Sequence, residues 1–156
     1  MSRIKSIVEA SIEVKKELLE DEVLLQRIEV IAEEMIEAFR KDHKVWFCGN
    51  GGSASDAQHI AAELSGRFYI DRPALFAEAL HVNGSYLTAV ANDYGFDHVY
   101  ERLIEGYGRK GDILFGLSTS GNSPNVVKAL LQAKKQGLTT VAFTGKTGGK
   151  LKEIAD

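Results

Sequence analysis

The apolar positions of the first forty residues recur at helical spacing. Ile4, Ile7, Val8 and Ile12 lead to Leu18 and Leu19, and Ile28, Ile31, Met35, Ile36 and Phe39 continue the pattern. No Gly or Pro interrupts residues 2–20 or 22–40, so two amphipathic helices are predicted there. Both precede the first predicted strand and lie outside the repeat that follows. Their apolar stripes need a partner, either their own domain or an oligomer interface.

From Lys44 the pattern changes to short apolar runs separated by helical stretches. Strands are predicted at Val45–Cys48, Leu75–Leu80, Asp112–Leu117 and Thr139–Phe143. Helices are predicted at 53–65, 84–92, 96–107 and 123–136, with a short one after Gly148 and Gly149. Helices between apolar strands imply right-handed crossovers, so the fold class is α/β: a Rossmann-like parallel sheet flanked by helices, with two N-terminal helices. A sheet of this kind normally continues with another strand and helix, so a C-terminal strand and helix are expected to be missing beyond Asp156.

Composition narrows the function classes. A net charge of −3 leaves no basic footprint for nucleic acid. No run approaches the roughly 18 apolar residues of a membrane span, and the N-terminus lacks a signal-peptide core. Cys48 is the single cysteine, which leaves no intrachain disulfide and no Cys-based zinc site. The expected location is the cytoplasm, with no nucleic-acid or membrane partner.

The candidate chemistry gathers in two loops. Gly49-Asn50-Gly51-Gly52-Ser53 follows a strand and opens a helix, so its backbone N–H groups can meet an anion. Ser53 is expected as the helix N-cap, with Asp56 completing a capping-box-like pair. The string also fits the dinucleotide pattern G-x-G-x-x-G/A, but Leu80 is followed by His81 rather than an acidic residue, so no nicotinamide or flavin is expected. The second loop, Ser118-Thr119-Ser120-Gly121-Asn122-Ser123-Pro124, again joins a strand to a helix. Ser123 is expected as N-cap and Pro124 at the first helical position. Capping needs one hydroxyl and this loop carries four, which favours a phosphate site at the positive end of a helix dipole. In a parallel sheet both loops fall at the carboxyl edge, where ligands bind.

His59 and Glu63 are four residues apart on the helix after the first loop, so they share a face. They offer acid–base groups or two metal ligands, and two ligands do not complete a metal site. Asn92 and Asp93, at a helix end, can be turn residues or bind sugar hydroxyls. Arg67 is a solvated charge or a group near the substrate. His81 and His98 carry no distinct signal, and Cys48 reads as a core thiol.

Taken in order, Cys48 to Ser53, Asp56 to His59, Ala62 to Phe68, Asn92 to Phe96 and Ser118 to Ser123 resemble the phosphoheptose isomerases, sugar isomerase (SIS) domain enzymes. The resemblance covers nearly the whole chain, so residues 1–156 are expected to form a single SIS domain with 2–40 as its N-terminal helical segment. It implies an aldose–ketose isomerase converting sedoheptulose 7-phosphate to D-glycero-D-manno-heptose 7-phosphate through an enediol, for bacterial heptose and lipopolysaccharide biosynthesis. It implies a cytoplasmic homotetramer, often with zinc. By position it makes Glu63 the catalytic base and His59 with Glu63 the metal ligands. It makes Ser53, Ser118, Thr119, Ser120 and Ser123 the phosphate residues. Asn50 and Asp93 match sugar contacts, with Gly51, Gly52, Arg67 and Asn92 grouped as further substrate-binding positions. The family's second acid–base His and its remaining ligands are expected beyond Asp156. The alternative is a non-enzymatic SIS-domain tetramer that binds the replication initiator protein, a role that has no use for a base at Glu63.

Overall fold

The computed structural model describes residues 2–145 and 147–156. The chain divides into two compact units, the first ending at Glu37 and the second running Ala38–Asp156. The first holds α1 (Arg3–Glu20) and most of α2 (Glu22–Arg40). Asp21 makes the break between them. Its N–H closes α1 on the carbonyls of Glu17 and Leu18, while its carboxylate accepts the Leu24 N–H at 2.9 Å and caps α2. Every residue of α1 is exposed, including Ile4, Ile7, Val8 and Ile12.

The second unit is the α/β layer structure. Its elements run β1 (Val45–Gly49), α3 (Gly52–Ser65), β2 (Ala77–Ala79), α4 (Gly84–Tyr94), a one-turn 3-10 helix (Phe96–His98) and α5 (Val99–Tyr107). They continue with β3 (Ile113–Ser118), α6 (Pro124–Gln136), β4 (Thr139–Thr144) and α7 (Leu151–Ile154). The four strands among the described residues are parallel, in the order β2-β1-β3-β4. β1 and β3 are buried along their whole length, as expected for central strands covered on both faces. One face packs Trp46, Cys48 and Leu114 against Tyr100, Ile104, Val126, Ala129 and Leu130 from α5 and α6. On the sheet, Phe47 and Phe115 stack with ring centroids 4.9 Å apart.

Buried Asp112 ties the amino edge of the sheet together. It accepts from the Lys44 N–H at 2.9 Å, the Trp46 indole at 3.0 Å and the Arg109 N–H at 3.1 Å. A carboxylate this deep is tolerable because its lone pairs are met.

Three local expectations are corrected. The second strand is shorter than Leu75–Leu80, because the Leu75 N–H bonds to the Leu64 carbonyl at the end of α3 rather than to the sheet. The stretch 96–107 begins with a separate 3-10 turn before α5. Ser53 is not the N-cap of α3. That position is Gly51, and Ser53 already lies inside the helix, so no capping box with Asp56 forms.

The strand order creates a switch point. β1 leads outward to β2 on one side, and β3 leads to β4 on the other. The crevice between the carboxyl ends of β1 and β3 is where open α/β sheets bind ligands.

Candidate functional site

Both predicted loops converge on that crevice. They line an open cavity of about 240 Å³ formed by Asn50, Ser53, Leu117, Ser118, Thr119, Ser120 and Ser123. No ionisable side chain is among the lining residues. An anion there meets helix N-termini, N–H groups and hydroxyls instead of a lysine or arginine.

The first loop is shaped by its backbone. Gly51 takes φ +56°, ψ −121° at the start of α3, a conformation that an L side chain resists. At the start of α3 the Ser53 N–H donates to the Asn50 carbonyl at 3.1 Å, and the Ala54 and Ser55 N–H groups donate to that of Gly51 at 3.1 and 3.2 Å, while Gly51 and Gly52 are exposed at the helix start. Asn50 is held by a reciprocal amide pair with Asn125. Asn50 Nδ2 donates to Asn125 Oδ1 at 2.9 Å, and Asn125 Nδ2 donates to Asn50 Oδ1 at 2.8 Å. Asn125 also accepts the Val126 N–H at 3.0 Å. The pair fastens the first loop to the first turn of α6 and leaves Asn50 one amide hydrogen and one lone pair for a ligand.

The second loop is shaped by hydroxyls and an outside prop. Ser118 Oγ lies 2.9 Å from Ser123 Oγ, and the Asn122 N–H donates to Ser120 Oγ at 3.2 Å. Ser123 occupies the N-cap position with Pro124 following, but its side chain pairs with Ser118 rather than capping. The chain after β4 supports this loop. The Gly145 N–H donates to the Thr119 carbonyl at 3.0 Å, Leu151 to Gly121 at 3.0 Å, and Lys150 to Asn122 Oδ1 at 3.1 Å. At Gly121 a Cβ would lie 1.9 Å from the Gly148 carbonyl oxygen, so only glycine fits.

His59 and Glu63 sit on the later turns of α3, with His59 Nε2 3.0 Å from Glu63 Oε1. The His59 side chain is 74% exposed and that of Glu63 35%. Neither lines the cavity. Glu63 is about 15 Å further along the helix than Ser53, at roughly 1.5 Å per residue, and its side chain leans back toward the N-terminus. Arg67 is exposed just past the helix. Asn92 and Asp93 are exposed at the end of α4, joined by an Asn92 Nδ2 to Asp93 Oδ1 bond of 2.9 Å. The fold thus gathers Asn50, Ser53, Ser118, Thr119, Ser120 and Ser123, while Arg67, Asn92, Asp93, His59 and Glu63 lie outside that lining.

Sequence reasoning missed two residues that shape the site. Asn125 is 1% exposed, and its only local signal is an amide where α6 presents its buried face. Tyr100 donates from its hydroxyl to the Gly49 carbonyl at 2.5 Å, across a separation that no local pattern records.

The other histidines differ in setting. His81 follows β2 at the same sheet edge. Its Nδ1 is buried without a partner among the described residues, and burial lowers its pKa against the opposing charge of Glu78. His98 lies between Glu101, 2.7 Å from Nδ1, and Lys128, 2.9 Å from Nε2. A neutral ring with its hydrogen on Nδ1 satisfies both contacts. Cys48 is fully buried and burial pushes its thiol pKa up, so it is a core residue and not a nucleophile.

The cavity at a βα switch point and the paired hydroxyl loop define a class. The chain belongs to the SIS domain family, whose model matches residues 8–145. It is 53% identical over 146 residues to the phosphoheptose isomerase of Mycobacterium tuberculosis, covering 94% of this chain and 74% of that protein. It is 48% identical over 153 residues to that of Sulfurimonas denitrificans, covering 98% and 78%. Among solved structures, a phosphoheptose isomerase from Neisseria gonorrhoeae superposes with a TM-score of 0.90 at 42% identity, covering 99% of this chain and 79% of that one. One from Francisella tularensis gives 0.94 at 34%, covering 100% and 82%. Within the SIS domain class the chain falls with the phosphoheptose isomerases.

Proposed function

We propose that this chain is a sugar-phosphate aldose–ketose isomerase that interconverts sedoheptulose 7-phosphate and D-glycero-D-manno-heptose 7-phosphate. The observation that carries this reading is the cavity between the two loops, built for a phosphate, on the same helix that bears Glu63 further along. A seven-carbon chain puts its phosphate and its reacting carbons at opposite ends, and α3 separates the matching groups in the same way.

In this reading Ser53, Ser118, Thr119, Ser120 and Ser123 take the phosphate, with the Gly51 and Gly52 backbone. Asn50, Arg67, Asn92 and Asp93 take sugar hydroxyls. The Glu63 carboxylate removes a proton from C1 of the ketose. The electron pair forms the C1–C2 double bond of an enediol, and O2 gains a proton. Glu63, its proton free to exchange with solvent in between, delivers a proton to C2, O1 loses its proton, and the aldehyde forms at C1. Phosphate binding at a distance holds C1 and C2 against the carboxylate.

Zinc, implied by the resemblance, would take His59 and Glu63 as ligands and would polarise the substrate oxygens. Their nitrogen and carboxylate oxygen are suitable donors. Among the described residues, however, no group of three or more His, Cys, Asp or Glu could hold a metal ion. Two donors fall short of the three or four protein ligands that zinc takes. The residues present do not fit a complete centre, and no step above runs through a metal.

The wider reading is a cytoplasmic SIS-domain protein, residues 1–156 forming one such domain, that supplies heptose for lipopolysaccharide or other surface glycans. It assembles as a homotetramer through residues 2–40. The exposed Ile4, Ile7, Val8, Ile12, Leu19, Val23 and Ile28 support that assembly, since so much apolar surface on α1 and α2 needs a partner. No described helix is long and apolar enough to cross a membrane.

The direct test incubates the intact protein with sedoheptulose 7-phosphate and follows the aldose product by NMR. Solvent deuterium should appear at C2 of the product. Absence of interconversion overturns the reading. Light scattering tests the assembly, with a monomer at micromolar concentration the contrary result.

A further inference from the structure

The last turn of α3 depends on a residue outside the helix. Helix C-termini leave four carbonyls without helical donors. In α3, the Gly66 N–H takes the Ala62 carbonyl at 2.8 Å and Ser65 Oγ takes that of Ala61 at 2.8 Å. The next two are the carbonyls of Glu63 and Leu64. Arg72 reaches back from the loop after the helix and holds both. Its Nη2 donates to the Glu63 carbonyl at 3.0 Å, and its Nη1 donates to that of Leu64 at 2.9 Å and to its neighbour Pro73 at 3.1 Å. The Leu75 N–H adds a weaker bond to Leu64 at 3.3 Å.

We propose that Arg72 is a positioning residue for Glu63: its guanidinium clamps the backbone of the residue that carries the base. The proposal rests on the reading of Glu63 as that base. Glu63 lies in the final turn of α3, where helices fray. Proton transfer to carbon tolerates little misplacement, since a displacement of about 1 Å can cost roughly 100-fold in rate. A planar fork with two parallel donors suits two neighbouring carbonyls, whereas an ammonium is a single point charge. The positive charge also sits at the negative end of the helix dipole. Arg72 touches neither the phosphate cavity nor the Glu63 carboxylate, so its action runs through the main chain.

The experiment is a double-mutant cycle in the intact protein, with Arg72→Met, Glu63→Gln and the pair, each reporting kcat, KM and melting temperature. Arg72→Met should lower kcat about 10- to 100-fold with KM for sedoheptulose 7-phosphate within about twofold. Combined with Glu63→Gln, it should cost less than about a further twofold, because there is no base left to position. If Arg72→Met does not fold, Arg72→Lys carries the same cycle, with a smaller loss that also vanishes in the Glu63→Gln background. An equal loss in both backgrounds overturns the proposal, as does a rise in KM with kcat unchanged. Near wild-type turnover in Glu63→Gln alone overturns the base assignment itself, and the two failures are distinguishable by that single variant.

Discussion

The two ends of α3 are built on opposite plans. At its N-terminus the chain folds two loops into a cavity with no ionisable side chain, and fastens each loop from outside, by Asn125 for one and by Gly145, Lys150 and Leu151 for the other. Toward its C-terminus it carries an exposed His59 and a half-buried Glu63, with Arg72 holding the carbonyls of Glu63 and Leu64. Fixed dipoles suit a charge that must be held and not altered. A carboxylate with access to solvent suits a proton that must come and go. Under the proposed function, binding and chemistry divide along one helix, so changes at one end should leave the other end's observable alone.

The sharpest way to break that division is Glu63→Gln. It should lower kcat by about 10² to 10⁴ while affinity for the sugar phosphate stays near wild type, read by turnover and calorimetry. A loss of affinity instead would place Glu63 among the binding groups. At the other end, Ser120→Ala and Ser123→Ala should each cost roughly 1.5–3 kcal/mol in sugar-phosphate affinity and much less for the unphosphorylated sugar. Equal losses for both ligands would move these hydroxyls away from the phosphate.

A smaller effect is expected from Asn125→Ala, which strands half of the Asn50 amide in a part-buried site. It should lower stability by about 1–3 kcal/mol in urea titration and loosen the first loop more than the second. Unchanged stability would mean that the amide pair contributes nothing net. The smallest effect concerns His81. Its pKa is lower in the folded protein than its ordinary value of 6.5, so the unfolded chain binds the proton more tightly. Stability should therefore fall as pH drops through about 6.5 toward the folded value. His81→Gln should flatten part of that decline in melting temperature, and an unaltered slope would remove His81 from the account.

Much of this organisation is readable from local pattern. α1, α2, β1, β3, α6 and β4 appear within a residue or two of their predicted bounds, because apolar periodicity and Gly-rich breaks act over short distances. The gathering of the Ser118–Ser123 loop at the cavity was also legible, since four hydroxyls in one turn exceed what a cap needs. What escaped was cooperation across the chain. Asn50 and Asn125 are 75 residues apart, and the Tyr100 bond to Gly49 spans 51. Ser53 misled because Gly51, at positive φ, starts the helix earlier than a hydroxyl cap would. Leu75 misled because a helix carbonyl competes for its N–H. His59 and Glu63 were legible as a pair from their spacing, but their distance from the cavity between the two loops is a property of the helix rise and not of any motif.

The absence of ionisable side chains from the cavity lining has a consequence for how binding responds to solution conditions. Nothing in that lining changes charge between pH 5 and 8, so the titration belongs to the ligand. A phosphate monoester passes from monoanion to dianion near pH 6. With a sugar phosphate as the proposed guest, the cavity would act as a fixed-field detector whose signal tracks the charge of that guest. Its affinity should rise across that transition with the slope of a single proton, and two ligands with different phosphate pKa values should trace the same curve, displaced by that difference.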